Sequence, residues 1–229
     1  MYSYMWVVLP AMILALYAQN KVSTTFNKYS KVSNRNGYTG ADVARQLLSM
    51  SGINDVRVER IHGHLTDHYD PRAKVLRLSD SVYSSTSIAA IGVAAHETGH
   101  AIQHDTGYVF LGLRSAMVPI TNISSKMAMP MIILGIILGG SRSFGYTLIE
   151  IGILLFAVAV VFALVTLPVE FNASSRAITM LGGYNFLSQE ELDPAKKVLS
   201  AAAMTYVASA TVAIANLLRM ILIFGRRND

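Results

Sequence analysis

Cysteine is absent from this chain of 229 residues, which removes disulfides, thiolate metal sites and cysteine nucleophiles together. Charge is scarce as well. Asp, Glu, Lys and Arg make up 14% of the residues against 52% that are hydrophobic, a balance expected of a membrane protein rather than a soluble domain. The formal charge of +5 does not read as nucleic-acid binding, because the Lys and Arg residues are dispersed and no basic block interleaves with aromatics. Its expected use is to orient the chain in a bilayer. The first apolar run, Tyr4 to Ala18, has neither a basic stretch before it nor a small-x-small cleavage site after it. It therefore reads as an uncleaved anchor, short for a span and open to a kink at Pro10. Internal repeats and low-complexity tracts are missing too.

From Gln19 the composition turns polar, and a mixed segment runs to about Arg114. Within it, "TGADVARQLLSMSGI" has a cap at Thr39, apolar Val43, Leu47 and Leu48 at helical spacing, and Gly52 as a stop. "VRVERIHGHLTDHYDPRAKVLRLS" alternates around the turn "DPRA", predicting two or three short strands that include a hairpin. Ser84 to Ser87 then punctuate the start of a helix running to about His104. Beyond Lys126 the chain is apolar again. Met127 to Gly140, extended upstream, and Thr147 to Pro168 predict a hairpin of membrane helices, with Gly135 and Gly139 as a GxxxG pair for close helix contact. The final run, Val198 to Phe224, either spans or lies as a packed interfacial helix.

The chemistry is concentrated in "HETGH". His96 and His100, four apart on a helix, stand one turn above each other on one face, so two imidazoles can grip one ion. Zinc suits such nitrogen ligands and, with one coordination position open, lowers the pKa of a bound water towards neutrality. Glu97 is placed to take a proton from that water and pass it to the leaving amine. Gly99 lets another element pack closely against the helix. His104 cannot be the third ligand, because three imidazoles along two turns extend over roughly 12 Å. The metzincin pattern fails as well, with Gln103 at its glycine and Thr106 at its last histidine. No acid lies between Asp105 and Glu150, Glu150 sits at the far end of a span, and Glu190, Glu191 and Asp193 fall in a solvated loop and helix start. Glu170, at the end of the second span, remains. His68 and Arg176 are candidates for the donor that faces the oxyanion of the tetrahedral intermediate.

With "AAHETGHAIQ", "LPVEFNASSRA", "TDHYDP" and "LRLSD" in view, nearly the whole chain resembles the bacterial membrane zinc metallopeptidases of the YugP-like, or Zn-peptidase type 2, family. More distantly it is similar to the CAAX-processing and heat-shock membrane proteases, which pair H-E-x-x-H with E-x-x-A-D. The resemblance implies a gluzincin site, with His96, His100 and Glu170 as zinc ligands and Glu97 as base. Two departures stand out: Ser174 occupies the Asp of E-x-x-A-D, and Asn172 stands where the closer family more often has Asp, so the carboxylate that would orient a ligating imidazole is replaced.

The expected architecture is an α+β membrane protein, mostly helical, with three to four membrane helices and a small zincin-like helix-and-sheet domain. The expected divisions are an anchor (1–19), a zincin-like domain (20–115), a transmembrane hairpin (116–169), a third-ligand helix and loop (170–197) and a C-terminal membrane or interfacial helix (198–229). The expected function is a multi-pass zinc endopeptidase of the bacterial cell membrane, cleaving membrane or membrane-proximal proteins; the alternative is a non-catalytic zinc-fold scaffold or adaptor. A protein or peptide substrate and the lipid bilayer are the expected partners, with a membrane protein or a second copy as a further one, and no nucleic acid. Lys21, Lys28, Lys31, Arg35, Arg114, Lys126, Arg176, Lys196 and Lys197 fall on the catalytic side, against Arg142 between the spans, which places that side in the cytoplasm. Arg226 and Arg227 count the other way if the last run crosses.

Overall fold

Among the described residues, 4–139 and 144–225 of this computed structural model, ten elements follow one another. They are α1 (Met5–Tyr29), α2 (Gly40–Met50), β1 (Arg57–Ile61), β2 (His68–Asp70), β3 (Val75–Ser79), α3 (Asp80–Tyr83), α4 (Ile88–Asp105), α5 (Val109–Ile137), α6 (Phe144–Gly183) and α7 (Gln189–Phe224). Four of them, α1, α5, α6 and α7, are long and apolar enough to cross a membrane. The chain is thus a mostly helical α+β membrane protein. The last run has the length and composition to span. The expected turn residue Arg142 and the terminal Arg226 and Arg227 lie outside the described residues.

The long helices exceed their apolar runs. α1 continues from Ala18 to Tyr29, since Lys, Gln and Asn sustain a helix in water and Phe26, 3% exposed, anchors its polar half to the core. α6 passes through Pro168 without ending and spans 40 residues, about 60 Å at 1.5 Å per residue, roughly twice the hydrocarbon thickness. The apolar stretch and Glu170 therefore belong to one continuous helix.

Contacts divide the chain into two compact units. One comprises the described residues of Met1–Tyr17, Leu113–Leu167 and Tyr206–Asp229. In it α5 and α6 approach antiparallel through glycines. A Cβ on Gly135 would lie 2.5 Å from the Gly145 carbonyl oxygen, and one on Gly152 would lie 2.8 Å from that of Ala128. Gly139 takes no part in this contact; it has φ +97° just past the end of α5. The close approach thus uses one glycine from each helix rather than a GxxxG pair on one.

The other unit comprises Ala18–Gly112 and Pro168–Thr205. Its sheet has the order β1-β3-β2, with β1 parallel to β3 and β2 antiparallel to it around the expected turn. Val75, Leu76 and Leu78 of β3 are fully buried, as a central strand requires. α2 is capped by Thr39, whose hydroxyl accepts from the Asp42 N–H while Asp42 accepts from the Thr39 N–H. Its Val43 and Leu47 pack with Ile88 and Ile91 of α4, Ala177 and Leu181 of α6, and Ala195 and Leu199 of α7. α4 starts at the cap Ser87, whose hydroxyl accepts from the Ala90 N–H, and most of the residues it buries are small. The helix that bears "HETGH" is thereby the buried centre of this unit.

Candidate metal centre

One turn of α4 separates His96 from His100, and their rings meet edge to face with centroids 4.7 Å apart. Opposite them α6 supplies Glu170, which is only 2% exposed. Its Oε2 lies 3.3 Å from Nε2 of His96 and 3.6 Å from Nε2 of His100. Each of the three side chains offers a ligand atom within 4.8 Å of the other two. Bonds of 2.0–2.1 Å in a tetrahedral shell place neighbouring ligand atoms about 3.4 Å apart, so the two nitrogen–oxygen separations have the span of a zinc site. The approach depends on Gly99, because a Cβ there would stand 2.7 Å from the Ala173 carbonyl oxygen of α6. Any larger residue would push the carboxylate away from the imidazoles.

The outward-facing ring nitrogens are held as well. Nδ1 of His96 pairs with the Ser174 hydroxyl at 3.1 Å, and Nδ1 of His100 pairs with Oε1 of Gln103 at 3.0 Å. Gln103 is fully buried, and its amide donates to the Val169 carbonyl and to Oδ1 of Asn172. With both N–H groups directed at acceptors, the amide oxygen must face His100 and accept its Nδ1–H. Nε2 of His100 then faces the Glu170 carboxylate, a position that suits either a proton on the ring or a metal ion bound by both groups. Burial opposes charge on His100, but the carboxylates of Glu170 and Glu97 outweigh it and raise the ring above the usual histidine range. Positive charge is thus favoured at this point, and the donor set of two imidazoles and a carboxylate fits zinc.

A family model described as "Putative neutral zinc metallopeptidase" matches residues 4–225. The chain belongs to that family. Among curated proteins this chain is 48% identical over 226 residues to the "Putative membrane protease YugP" of Bacillus subtilis (strain 168), across 99% of the present chain and 98% of the other. No solved structure matches it.

The remaining expected site residues of the metallopeptidase lie at different removes. Glu97 is half-buried beside His96, and its charge reaches both His100 and Asp67. Burial pushes the Asp67 carboxyl above the usual range, against the hydrogen bonds it accepts from the Ser79 N–H and hydroxyl; the Glu97 charge pushes it the same way. Arg176 donates from Nε to Oδ1 of Asn172 at 2.8 Å. It is joined to His100 through Asn172 and Gln103. His68 sits on β2 and is engaged with the Thr66 carbonyl and with Arg77. Next to it the Tyr69 hydroxyl bonds Nδ1 of His104, and burial with nearby carboxylates holds that phenol up at about 12. His104 is accordingly a partner of the hairpin, and the third group near the two histidines is Glu170. Gln103 and the role of Ser174 are contributions that motif spacing passes over. A usable signal existed for Gln103, three residues after His100 and so on its face of the helix; for Ser174 the signal was its place at the Asp of E-x-x-A-D, and its hydroxyl holds His96 there.

Proposed function

We propose that this metallopeptidase is a membrane-bound zinc endopeptidase that hydrolyses peptide bonds of membrane or membrane-proximal proteins. Its support is the convergence of His96, His100 and Glu170 on one point, with both outer ring nitrogens already hydrogen-bonded. Zinc, when bound by these three residues, supplies an acidified water and polarises the scissile carbonyl. Glu97 takes the proton from the attacking water and delivers it to the leaving amine. Ser174 and Gln103 keep the imidazoles turned towards the ion, and Arg176 keeps Asn172 and Gln103 in register. The substrate backbone adds to β2, which is an edge strand of the sheet. His68 on that strand is the donor assigned to the oxyanion. A cleft of about 350 Å³ beside Ser174, lined also by Ile178 and Leu199, accepts an apolar side chain flanking the cut. The basic residues expected on the catalytic side support a cytoplasmic position for this unit.

The experiment compares purified protein with Glu97→Gln for zinc content and for cleavage of a membrane-derived peptide library. Equal zinc with cleavage lowered by about 10²- to 10⁴-fold is expected. Equal cleavage by both, or none by either with zinc bound, overturns the endopeptidase in favour of a zinc-fold adaptor.

A further inference from the structure

Away from the histidines, the unit that contains them has a cavity of about 710 Å³ between the polar half of α1 and the first turns of α7. Lys21 and Lys28 enter it from α1; Lys196 and Lys197 enter it from α7. Thr25 and Ser200 add hydroxyls, and a single carboxylate, Asp193, offsets the four ammonium groups. On each helix the residues recur at one face, Lys21, Thr25 and Lys28 on α1 and Asp193, Lys196, Lys197 and Ser200 on α7. Like charges gathered this way repel one another, so the cavity is stabilised by an anion within it. Its depth along the chain also matters. Lys21 follows the end of the α1 apolar run by three residues, about 4.5 Å of helix, which is the level at which phospholipid headgroups lie. On α7, Lys196 and Lys197 precede Val198 and Leu199, which are buried in the core of this unit.

We propose that this cavity binds a phosphate-bearing anion, with the headgroup of an acidic phospholipid as its source in the bilayer. Ammonium groups act as point charges for phosphate oxygens, and the hydroxyls donate to the same oxygens. The cavity includes none of the groups around the two histidines, although Lys196 and Ser200 also line the cleft beside Ser174, and its occupancy does not require zinc.

The test uses the full chain reconstituted in bilayers of phosphatidylcholine alone and of phosphatidylcholine with phosphatidylglycerol, extracted gently and weighed by native mass spectrometry. Inorganic phosphate is titrated separately against the protein in detergent. Lys21→Gln/Lys28→Gln is the principal variant, because Lys196 and Ser200 also line the cleft beside Ser174. Arg72→Gln/Lys74→Gln is the charge-matched control, and Lys21→Arg/Lys28→Arg is the rescue. Retention of phosphatidylglycerol over phosphatidylcholine is expected, weakened about fivefold for each lysine neutralised, unchanged in the control and restored by arginine. Phosphate that binds by itself and depends on the same lysines assigns the site to free phosphate and supports the shared chemistry. Equal retention of the two lipids by the unaltered protein with no phosphate binding overturns the proposal, and so does an equal loss in the control. Zinc content and thermal unfolding of each variant separate loss of the site from loss of the fold.

Discussion

At the scale of single residues, the chain of hydrogen bonds behind His100 is where the sequence and the structure differ most. The replacement of an acidic residue by Asn172 looks in the sequence like a weakened support for the zinc ligands. In the structure the support comes from Gln103, and Asn172 acts one step further out, accepting from Gln103 and from Arg176. Gln103→Leu removes the acceptor for Nδ1 of His100 and the donor to the Val169 carbonyl, and leaves the Asn172 oxygen to Arg176 alone. Zinc affinity is expected to fall by about 10- to 100-fold, read by competition with a chromogenic chelator, while Gln103→Glu retains an acceptor and keeps most of it. Unchanged affinity in Gln103→Leu would dismiss the tautomer argument. The histidines were legible because helical spacing alone brings them to one face, Glu97 because it completes H-E-x-x-H beside them, and Glu170 because other acids could be eliminated one at a time. The position of Ser174 was legible from the resemblance, as that of an orienting carboxylate, but not its bond to His96; Gln103 was not, since a neutral side chain announces no charge chemistry and gains its role only from its neighbours.

At the scale of elements, the decisive approach is that of α4 to α6 at Gly99 and Ala173. Gly99→Ala sets a methyl 2.7 Å from a carbonyl oxygen that belongs to a helix backbone. It is expected to destabilise the fold by about 1–3 kcal/mol and to lower zinc content, measured by denaturant unfolding and metal analysis. Gly112→Ala in α5 meets nothing within 4 Å, and is expected to be neutral or to stabilise by up to about 1 kcal/mol. A similar loss in both would mean that helix propensity, not contact, sets the response. Electrostatics enters at the α2 cap. The Thr39 side chain and N–H, which bond Asp42, hold its carboxyl below the usual range. Because the folded value is depressed, this stability is present above the unfolded carboxylate pKa and is lost as pH falls through the folded one. Thr39→Ala is therefore expected to cost about 1 kcal/mol near neutrality and progressively less in acid, as followed by unfolding at several pH values; a cost that is constant with pH would separate the cap from Asp42. Helix beginnings, the hairpin and the cap residue were readable from local chemistry. Helix ends in the long rods were not, because a change from apolar to polar composition marks where a helix meets water and not where it stops.

At the scale of the whole molecule, the sequence legibly announced a mostly helical membrane protein, since composition and run length decide that question without tertiary detail. Its division into two compact units was harder to read, because α1, α5, α6 and α7 each contribute residues to both and no linker marks the boundary. Sidedness can be measured directly, helped by the lack of native thiols. A single Arg72→Cys substitution, at the exposed turn between β2 and β3, introduces a unique label site. In intact cells it is expected to resist a membrane-impermeant maleimide and to react after lysis; labelling from outside would reverse the assigned orientation. The approach of α4 to α6 has a consequence for how this chain tolerates change. The Ala173 carbonyl faces Gly99 while Ser174 beside it pairs with His96, so one turn of α6 carries both the spacing and the aim of the donor set, and a substitution within 170–174 disturbs the two together.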